Sequence, residues 1–361
     1  MQLKVVPAND VFGALNLMTE IVDGKVAGFI SQAEVNGVAP KVEGLSDKVA
    51  DDVALIVESS GSTGVPKRIS LSLDALKFSA EASASRLGGH GQWLLALPTN
   101  FIAGANVLFR SVIADTQPVL MNTQLPFTVD AFVRGASLLG EGRKYTSLVP
   151  AQLAKLARAS AEDAFVYSML RKFDAILVGG QSPNLSDVLE LRAKGINVVV
   201  SYGMTETCGG CVYDGVPFDG VTVKTNSGLI EISGPVLAND LGSSFITNDL
   251  GELRDGHVEV LGRADRVIIS GGLKLSLDHF EQRALELAGV NEVLAVPLES
   301  ELGQSLGVLY VGSPEVSFVD LANSMSLAAK PKRVLRVEAL PRLSSGKPDL
   351  LRASSLLQDN L

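Results

Sequence analysis

Between about residue 53 and residue 205, short apolar runs alternate with longer segments of helical periodicity. The runs predict strands at Val53–Val57, Trp93–Leu97, Pro118–Met121, Tyr145–Val149, Ala175–Val178 and Val198–Tyr202. The intervening segments predict helices at Leu73–Leu87, Ala103–Ala114, Val129–Leu139, Ala151–Arg158 and Leu185–Ala193. Because parallel strands need crossover connections, which are usually helices, this alternation predicts an α/β domain with much parallel pairing.

The pattern changes after Tyr213 to β segments separated by glycines, which predicts a more antiparallel, β-rich region. A new α+β unit begins near Leu261–Arg266. The sequence predicts its strands at Val267–Ser270, Val293–Pro297, Gly307–Val311 and Val334–Val337, and its helices at Asp278–Leu287 and Val319–Ala329. We therefore predict a large N-terminal domain over residues 1–263, with a parallel-rich sheet and a β-rich subdomain. A small α+β domain is predicted over residues 264–361.

Composition limits the classes of partner. The chain has 361 residues and a formal net charge of -9, the wrong sign for binding nucleic acid or anionic lipid through its overall field. No apolar run reaches the roughly 18 residues that a spanning helix needs, and the N-terminus lacks a basic-then-apolar signal. We expect a cytoplasmic protein with no membrane insertion and no nucleic-acid partner.

The cysteines form a single C-x2-C pair, Cys208 and Cys211. The three histidines lie far from this pair in sequence, and a zinc site needs four ligands at recognisable spacing. A redox pair usually opens a helix after a strand in a thioredoxin-like setting. These features favour two reduced, partly buried thiols over a metal or redox site.

A loop rich in glycine and hydroxyl groups, Ser59–Lys67, follows the first apolar strand of the alternation. Gly61 and Gly64 allow the backbone N–H groups to point at one anion, the hydroxyls of Ser59, Ser60, Ser62 and Thr63 add donors, and Lys67 adds charge. This combination suits a polyphosphate. The loop is not a Walker A motif, because Lys67 follows a proline, and a Ser/Gly/Pro turn without a ligand is the alternative.

Two further loops follow predicted strands. Ser201–Glu206 contains an aromatic ring, hydroxyls and a carboxylate, a set that could stack on a base, bind phosphate and hold Mg2+. Gly179, Gly180 and Gln181 follow Ala175–Val178. Because ligands of open α/β sheets bind at the carboxyl ends of strands, we expect both loops and the Ser59–Lys67 loop to leave one edge. Ordinary strand ends with a surface glutamate are the alternative.

Taken together, these segments resemble the adenylate-forming superfamily of acyl- and aryl-CoA synthetases, luciferases and peptide-synthetase adenylation enzymes. Ser59–Lys67 resembles its phosphate loop, and Ser201–Glu206 resembles its Tyr-Gly-x-Thr-Glu motif. Thr247–Asp249 through Gly262–Asp265 resembles the ribose-binding acid and the interdomain hinge. Pro341–Lys347 resembles the motif of the catalytic lysine.

Within the superfamily, Tyr145–Leu153 is most similar to the o-succinylbenzoate–CoA ligases of menaquinone biosynthesis, especially the short actinobacterial type. The sequence departs from the common pattern at three points. Phe101 stands where members commonly have His, Asn248 replaces the Gly of Thr-Gly-Asp, and Arg266 replaces a second acid after the hinge. The first departure affects the aryl pocket, whereas the other two leave the key functional groups in place.

The resemblance implies an ATP-dependent acid–CoA ligase that works through an acyl-adenylate, with ATP, Mg2+ and CoA as cofactors and an aryl acid as substrate. It implies that Glu206 binds Mg2+ and that Thr205 and the Ser59–Lys67 loop bind phosphates. Residues implied to bind the remainder of the nucleotide are Gly179, Gly180, Gln181, Tyr202, Gly203, Asp249 and Arg263. Lys347 is implied to bridge the substrate carboxylate and the α-phosphate.

The resemblance further implies a mobile C-terminal domain that rotates about Asp265. Rotation would bring the Ile269–Lys274 loop, with Gly271 and Gly272, to the pantetheine arm. Arg110 and Thr146–Gln152 are candidates to hold a second carboxylate of the acid. The alternatives left open are a ligase for another aryl acid, an enzyme that loads a carrier-protein thiol, and an inactive nucleotide-binding relative. A homodimer is also left open.

Overall fold

The computed structural model describes residues 1–34, 42, 44–59, 67–270, 272–300, 303–343 and 347–358. The chain divides into two compact units, one formed by Met1–Val223 and Ile232–Phe245, the other by Lys224–Glu231 and Ile246–Leu361. The predicted domain boundary at residues 263 and 264 falls inside the second unit. As the position of a functional hinge, it stays a prediction.

The first unit contains two sheets. Its strands are β1 (Leu3–Pro7), β2 (Ala27–Ser31), β3 (Leu55–Ser59), β4 (Lys67–Leu71), β5 (Gln92–Leu95), β6 (Val119–Leu120), β7 (Lys144–Leu148), β8 (Ala175–Gly179), β9 (Val198–Met204), β10 (Gly209–Tyr213) and β11 (Val216–Pro217). Among the described residues, one sheet has the order β1-β2-β3-β4 and the other β11-β10-β9-β8-β7-β5-β6. Strands β9, β8, β7, β5 and β6 run parallel, which confirms the predicted parallel-rich α/β fold.

The helices of this unit are α1 (Val11–Val22), α2 (Leu73–Leu87), α3 (Ile102–Ile113), α4 (Val129–Ser137), α5 (Pro150–Glu162), α6 (Ala164–Leu170) and α7 (Leu185–Ala193). Local chemistry sets their ends. In α2, Ser72 Oγ accepts from Ala75 N at 3.1 Å, and Gly88 ends the helix in the left-handed region at φ +88°. This helix coincides with its predicted range.

The core beside the larger sheet joins α4–α7 to the parallel strands. Phe132, Leu156, Met169 and Leu191 are buried from these helices against Ile176 of β8 and its neighbours. Each fully buried apolar side chain of this size contributes roughly 1.5–3 kcal/mol relative to an exposed one. Apolar residues three and four apart thus account for the helices that the sequence predicts.

One sequence-based expectation about the sheets is wrong. The strand before the Ser59–Lys67 loop, β3, does not belong to the sheet that contains β9; it pairs parallel with β2 and antiparallel with β4. The Ser59–Lys67 and Ser201–Glu206 loops therefore leave different sheets. Pairing between segments distant in sequence decides this, and an apolar run does not identify its neighbours.

The second unit is mainly antiparallel. The strands that follow β11 in the chain are β12 (Thr222–Asn226), β13 (Leu229–Ser233), β14 (Phe245–Arg254), β15 (His257–Arg263), β16 (Val267–Ser270), β17 (Leu273–Ser276), β18 (Val290–Ser300), β19 (Gly303–Gly312) and β20 (Arg333–Arg336), and the helices are α8 (Leu277–Ala284), α9 (Val319–Met325) and α10 (Leu350–Gln358). One sheet has the order β12-β13-β14-β15, and in the other β20 joins β19 beside the path β17-β16-β19-β18. Phe280, Tyr310 and Phe318 anchor the core of the latter, with ring centroids 5.4–6.1 Å apart.

Within the described residues, no helix combines the length and the apolar character that crossing a bilayer requires.

Candidate active site

The carboxyl ends of β8 and β9 lie side by side in the larger sheet. Gly179 pairs with Ser201 in the parallel register, and a Cβ atom on Gly179 would lie only 2.6 Å from Ser201 O. Glycine is therefore required for this close approach. Gly180 follows in the left-handed region at φ +83°, so the chain turns away from the sheet edge at once, towards the half-buried Gln181.

A short 3-10 turn, Thr205–Thr207, follows β9 and carries the predicted metal ligand. Thr207 Oγ1 accepts from Met204 N at 3.0 Å and donates to Gly209 O at 2.8 Å. Ala238 N donates to Glu206 O at 2.9 Å, which fixes the backbone of the turn from the other side. Thr205 is buried and Glu206 is half-buried, so a carboxylate is presented on a turn held at several points.

Carboxylate and hydroxyl oxygens are the donors that Mg2+ takes in proteins, usually one or two of them together with substrate phosphates. Glu206 supplies a carboxylate on the turn, next to Thr205, the residue predicted to bind phosphate. The residues therefore fit a magnesium ion that completes its coordination with nucleotide phosphates and water.

The two ends of the predicted phosphate loop lie beside this turn. Ser59 and Lys67 are paired in the β3–β4 register, and Ser59 Oγ donates to Lys67 O at 3.4 Å. Lys67 is exposed. Strands β3 and β4 both contact the Thr205–Thr207 turn, so the two sheets meet where the sequence predicts nucleotide chemistry. The other predicted loop residues, Ser60, Gly61, Ser62, Thr63 and Gly64, lie outside the described residues.

Tyr202 and Gly203 lie on β9 just before the turn. Tyr202 is half-buried and pairs with Val212 of β10. At Gly203 the strands approach so closely that an added Cβ would lie 2.0 Å from Gly209 O. The glycine of the motif is thus required by strand packing, whatever it contacts in a complex.

In the second unit, Asp249 and Arg263 face each other across the β14–β15 ladder. Asp249 Oδ1 lies 3.6 Å from Arg263 Nη1, and Asp249 N donates to Thr247 Oγ1 at 3.0 Å. Arg263 also donates to both carboxylate oxygens of Asp265 at 2.8 and 2.6 Å. This bidentate bond raises the pKa of Arg263 and lowers the pKa of Asp265, so both groups stay charged.

Lys347 is exposed at the base of a small hairpin in the same unit. Leu343 N donates to Lys347 O at 2.8 Å, and Arg342 and Pro348 form a β-bridge. Gly272 lies at φ +82° between β16 and β17, while Gly271 is outside the described residues. The backbone that carries Lys347 is thus held by its own hairpin.

The sequence of this protein matches the profile of a known family. The family described as AMP-binding enzyme covers residues 13–239. The chain belongs to this family. The match includes the Ser59–Lys67 loop, Gly179 and the Thr205–Thr207 turn, and it confirms the adenylate-forming superfamily that the motifs indicate.

Named relatives and solved structures agree with the family. A probable 2-succinylbenzoate–CoA ligase of Mycobacterium tuberculosis is 40% identical over 329 residues, which span 84% of this chain and 85% of the relative. The 2-succinylbenzoate–CoA ligase of Bacillus licheniformis is 31% identical over 274 residues, 66% of this chain and 55% of the relative. O-succinylbenzoate Coenzyme A Synthetase from Bacillus subtilis in complex with AMP has a similar fold, with a TM-score of 0.71 at 24% identity, covering 94% of this chain and 80% of that one.

Two residues of this AMP-binding enzyme support the turn although the sequence patterns did not identify them. Asn106 Nδ2 and Ser79 Oγ both donate to Cys208 O, at 2.8 and 3.2 Å, and both are buried. Cys208 itself lies at φ +51° directly after the turn. The available signal was Asn106 itself, a polar residue in the apolar helix α3, since buried amides need partners.

The two cysteines are free thiols, and both are fully buried, where the sequence predicts partial burial. Burial raises the pKa of both Cys208 and Cys211 to about 12. Neither thiol is ionised near neutral pH, so this pair packs beside the site as small apolar side chains.

Proposed function

We propose that this AMP-binding enzyme is a 2-succinylbenzoate–CoA ligase of menaquinone biosynthesis. It would convert 2-succinylbenzoate, ATP and CoA into 2-succinylbenzoyl-CoA, AMP and diphosphate. The observation that carries the proposal is the 40% identity to a probable enzyme of that name, which extends over most of both chains.

In the first step, a carboxylate oxygen of the acid attacks the α-phosphorus of ATP. The bond to diphosphate breaks, and its electron pair leaves with diphosphate. Negative charge builds up around the α-phosphate, where preorganised charge and donors stabilise it most. We assign Lys67, Thr205 and the Ser59–Lys67 loop to the phosphates, and Lys347 to the bridge between acid and α-phosphate. Mg2+, held by Glu206 when bound, would offset phosphate charge.

In the second step, the thiolate of CoA attacks the acyl carbon and AMP leaves with the electron pair of the acyl–oxygen bond. We assign Tyr202, Gly179 and Gly180 to the adenine slot and Asp249 to the ribose hydroxyls. Rotation of the C-terminal domain about Asp265 between the steps remains part of the proposal. It would bring Gly272 and its loop to the pantetheine arm.

Arg110 is the residue we assign to the second carboxylate of the acid. Its side chain is buried, Nη2 donates to Tyr213 OH at 3.4 Å, and the guanidinium lies 5.1 Å from the Trp93 ring centroid. Its Nε has no hydrogen-bond partner, and no carboxylate pairs with the group in the described part of the chain. A buried cation without an anion is costly, and a substrate carboxylate would remove that cost.

Arg110 lies on the same helix as a residue that contacts the turn. Asn106, one helical turn earlier on α3, bonds to Cys208 O beside Thr205–Thr207. The other candidates are already engaged: Thr146 Oγ1 donates to Leu94 O at 3.0 Å, and Gln152 accepts from Val149 N and donates to Ala96 O.

The test is a panel of acids assayed for AMP release with the purified enzyme, with and without CoA. We expect 2-succinylbenzoate to give the highest kcat/KM, and AMP turnover to need Mg2+, ATP and CoA together. A higher kcat/KM for benzoate, salicylate or a fatty acid would reject the substrate. Turnover with a carrier-protein pantetheine but not with CoA would favour the carrier-loading alternative, and a lack of all adenylation would favour the inactive relative.

The panel should include Arg110→Met as a matched variant, since Met fills similar volume without charge. We expect its KM for 2-succinylbenzoate to rise while benzoate, with one carboxylate, is used as by the wild type. A homodimer and a cytoplasmic location stay predictions. Size-exclusion chromatography with light scattering tests the former.

A further inference from the structure

Residues 263–266 are hydrogen-bonded to helix α8 through one carboxylate, that of Asp278. Asp278 Oδ2 accepts from the backbone N–H of Arg263 at 2.7 Å, and Asp278 Oδ1 accepts from Arg266 Nε. A Cβ atom on Gly262 would lie 2.8 Å from Asp278 Cβ, so the chain passes directly against this side chain. Both ends of the four-residue segment therefore depend on Asp278.

Arg266 extends the connection to a second strand. Its Nη2 donates to Glu281 and, at 3.3 Å, to Ala295 O, while Glu281 Oε1 accepts from Ala295 N at 2.7 Å. Only 13% of the Arg266 side chain is exposed, and 19% of each acid. A planar guanidinium that spans two carboxylates fixes geometry in a way that a flexible ammonium does not. These three side chains join the 263–266 segment, α8 and β18.

The other side of the same segment faces the acid assigned to ribose. The backbone of Arg263 is bound to Asp278, whereas its guanidinium contacts Asp265 and lies 3.6 Å from Asp249. Moving the Arg263 backbone would therefore move the positive group beside Asp249. The position of the cation beside Asp249 therefore depends on a bond made on the opposite side of Arg263, to Asp278.

We propose that Arg266, Asp278 and Glu281 form an ionic clamp that positions Arg263 and Asp249 for nucleotide binding. The inference rests on the proposed function for the role of Asp249. The clamp residues are positioning residues, because they act through Arg263 and do not contact the nucleotide. The superfamily commonly has an acid where this chain has Arg266, so the clamp depends on a residue in which this sequence departs from that pattern.

The test measures AMP binding to the full chain by calorimetry, with no acid or CoA present. We expect Asp278→Asn and Arg266→Met each to weaken AMP binding about tenfold, equivalent to about 1.4 kcal/mol. The double variant should lose no more than the worse single variant, because the residues act as one unit. Arg266→Lys should recover only part of the loss.

Two matched controls lie in the same unit. Arg283→Met removes an exposed arginine from α8, and Asp320→Asn removes an acid from the first turn of α9, as Asp278→Asn does from α8. Both should bind AMP as the wild type does. In steady-state assays the clamp variants should raise the KM for ATP but leave the KM for 2-succinylbenzoate within about twofold, which a general loss of structure would not do.

Melting curves establish that each variant is folded at the assay temperature. Should Asp278→Asn fold poorly, Glu281→Gln keeps the shape and the bond from Ala295 and takes its place. The proposal is overturned if either folded variant binds AMP with the same affinity as the wild type. It is also overturned if the wild-type protein binds no AMP. If the clamp variants lose AMP affinity while the wild type does not convert 2-succinylbenzoate, the proposed substrate fails and the clamp stands.

Discussion

Replacing Gly203 by alanine tests whether the pairing of β9 with β10 sets the turn that carries Thr205 and Glu206. The new Cβ would lie 2.0 Å from Gly209 O and 2.8 Å from Gly210 Cα. Both are backbone atoms of the neighbouring strand, so no side-chain rotation relieves the overlap. The strands must separate at the residues that lead into the turn.

The size of the effect follows from these distances. Ordinary Cβ contacts begin at 3.4 Å, so the backbone has to move by more than about 1 Å. Overpacking of this kind typically costs about 1–3 kcal/mol, and each weakened ladder hydrogen bond adds about 1 kcal/mol. We expect a loss of about 3 kcal/mol of unfolding free energy. For a domain of this size the Tm should fall by roughly 6–12 °C.

Activity should fall further than stability predicts. A displacement of about 1 Å at a catalytic group can cost about a hundredfold in rate. ATP–pyrophosphate exchange with 2-succinylbenzoate measures adenylation alone, and differential scanning calorimetry gives the Tm. The control is Gly142→Ala, at φ +89° with no atom within 4 Å of the added Cβ, which should cost about 1 kcal/mol and leave exchange unchanged. Equal Tm and equal exchange rates in the two variants would refute the packing argument.

Four further outcomes are expected. Glu206→Gln should lower kcat roughly ten- to a thousandfold and weaken the Mg2+ dependence of AMP formation; an unchanged Mg2+ titration rejects the ligand role. Lys347→Ala should abolish acyl-adenylate formation. Supplied with preformed acyl-adenylate and CoA, the variant should still form the thioester at a rate within about tenfold of the wild-type rate. Equal loss of both half-reactions in folded protein would contradict a role of Lys347 in the first step alone. Burial raises the pKa of Glu281 from 4.5 to about 7, so the folded state binds this proton more tightly than the unfolded state does. The stability that the bound proton contributes, roughly 3 kcal/mol, is present below pH 4.5 and is lost as the pH rises to 7. In urea unfolding, the wild type should therefore be less stable at pH 8 than at pH 5 on this account, and Glu281→Gln should lack this pH-dependent loss. Cys208 and Cys211, with pKa values of about 12, should not react with iodoacetamide at pH 8 in the native protein but should react once the protein is unfolded. Rapid labelling of the native protein would contradict this and would show that the thiols are accessible.

The sequence by itself determined those helices whose N-terminal cap and apolar periodicity both lie within one continuous segment. Helices α2 and α7 coincide with their predicted ranges, since Ser72 and Asn184 cap their N-termini and apolar spacing sets their buried faces. Helix α6 was not predicted, because seven residues directly after α5 give too short a periodic pattern. Strands β18 and β19 are longer than predicted because they pair with each other along most of their length.

The motifs likewise determined which chemical groups are present: a glycine at Gly203, a carboxylate at Glu206 and a cation at Lys347. The sequence did not determine which distant segments pair or come into contact within each unit. Strand β3 belongs to a different sheet from β9, yet β3 and β4 contact the Thr205–Thr207 turn. Arg266 forms ion pairs with Asp278 and Glu281, both on α8. Local patterns specify periodicity and turns. The choice of partner strand and the pairing of buried charges depend instead on contacts between segments distant in sequence. Only the tertiary structure decides which of these contacts form.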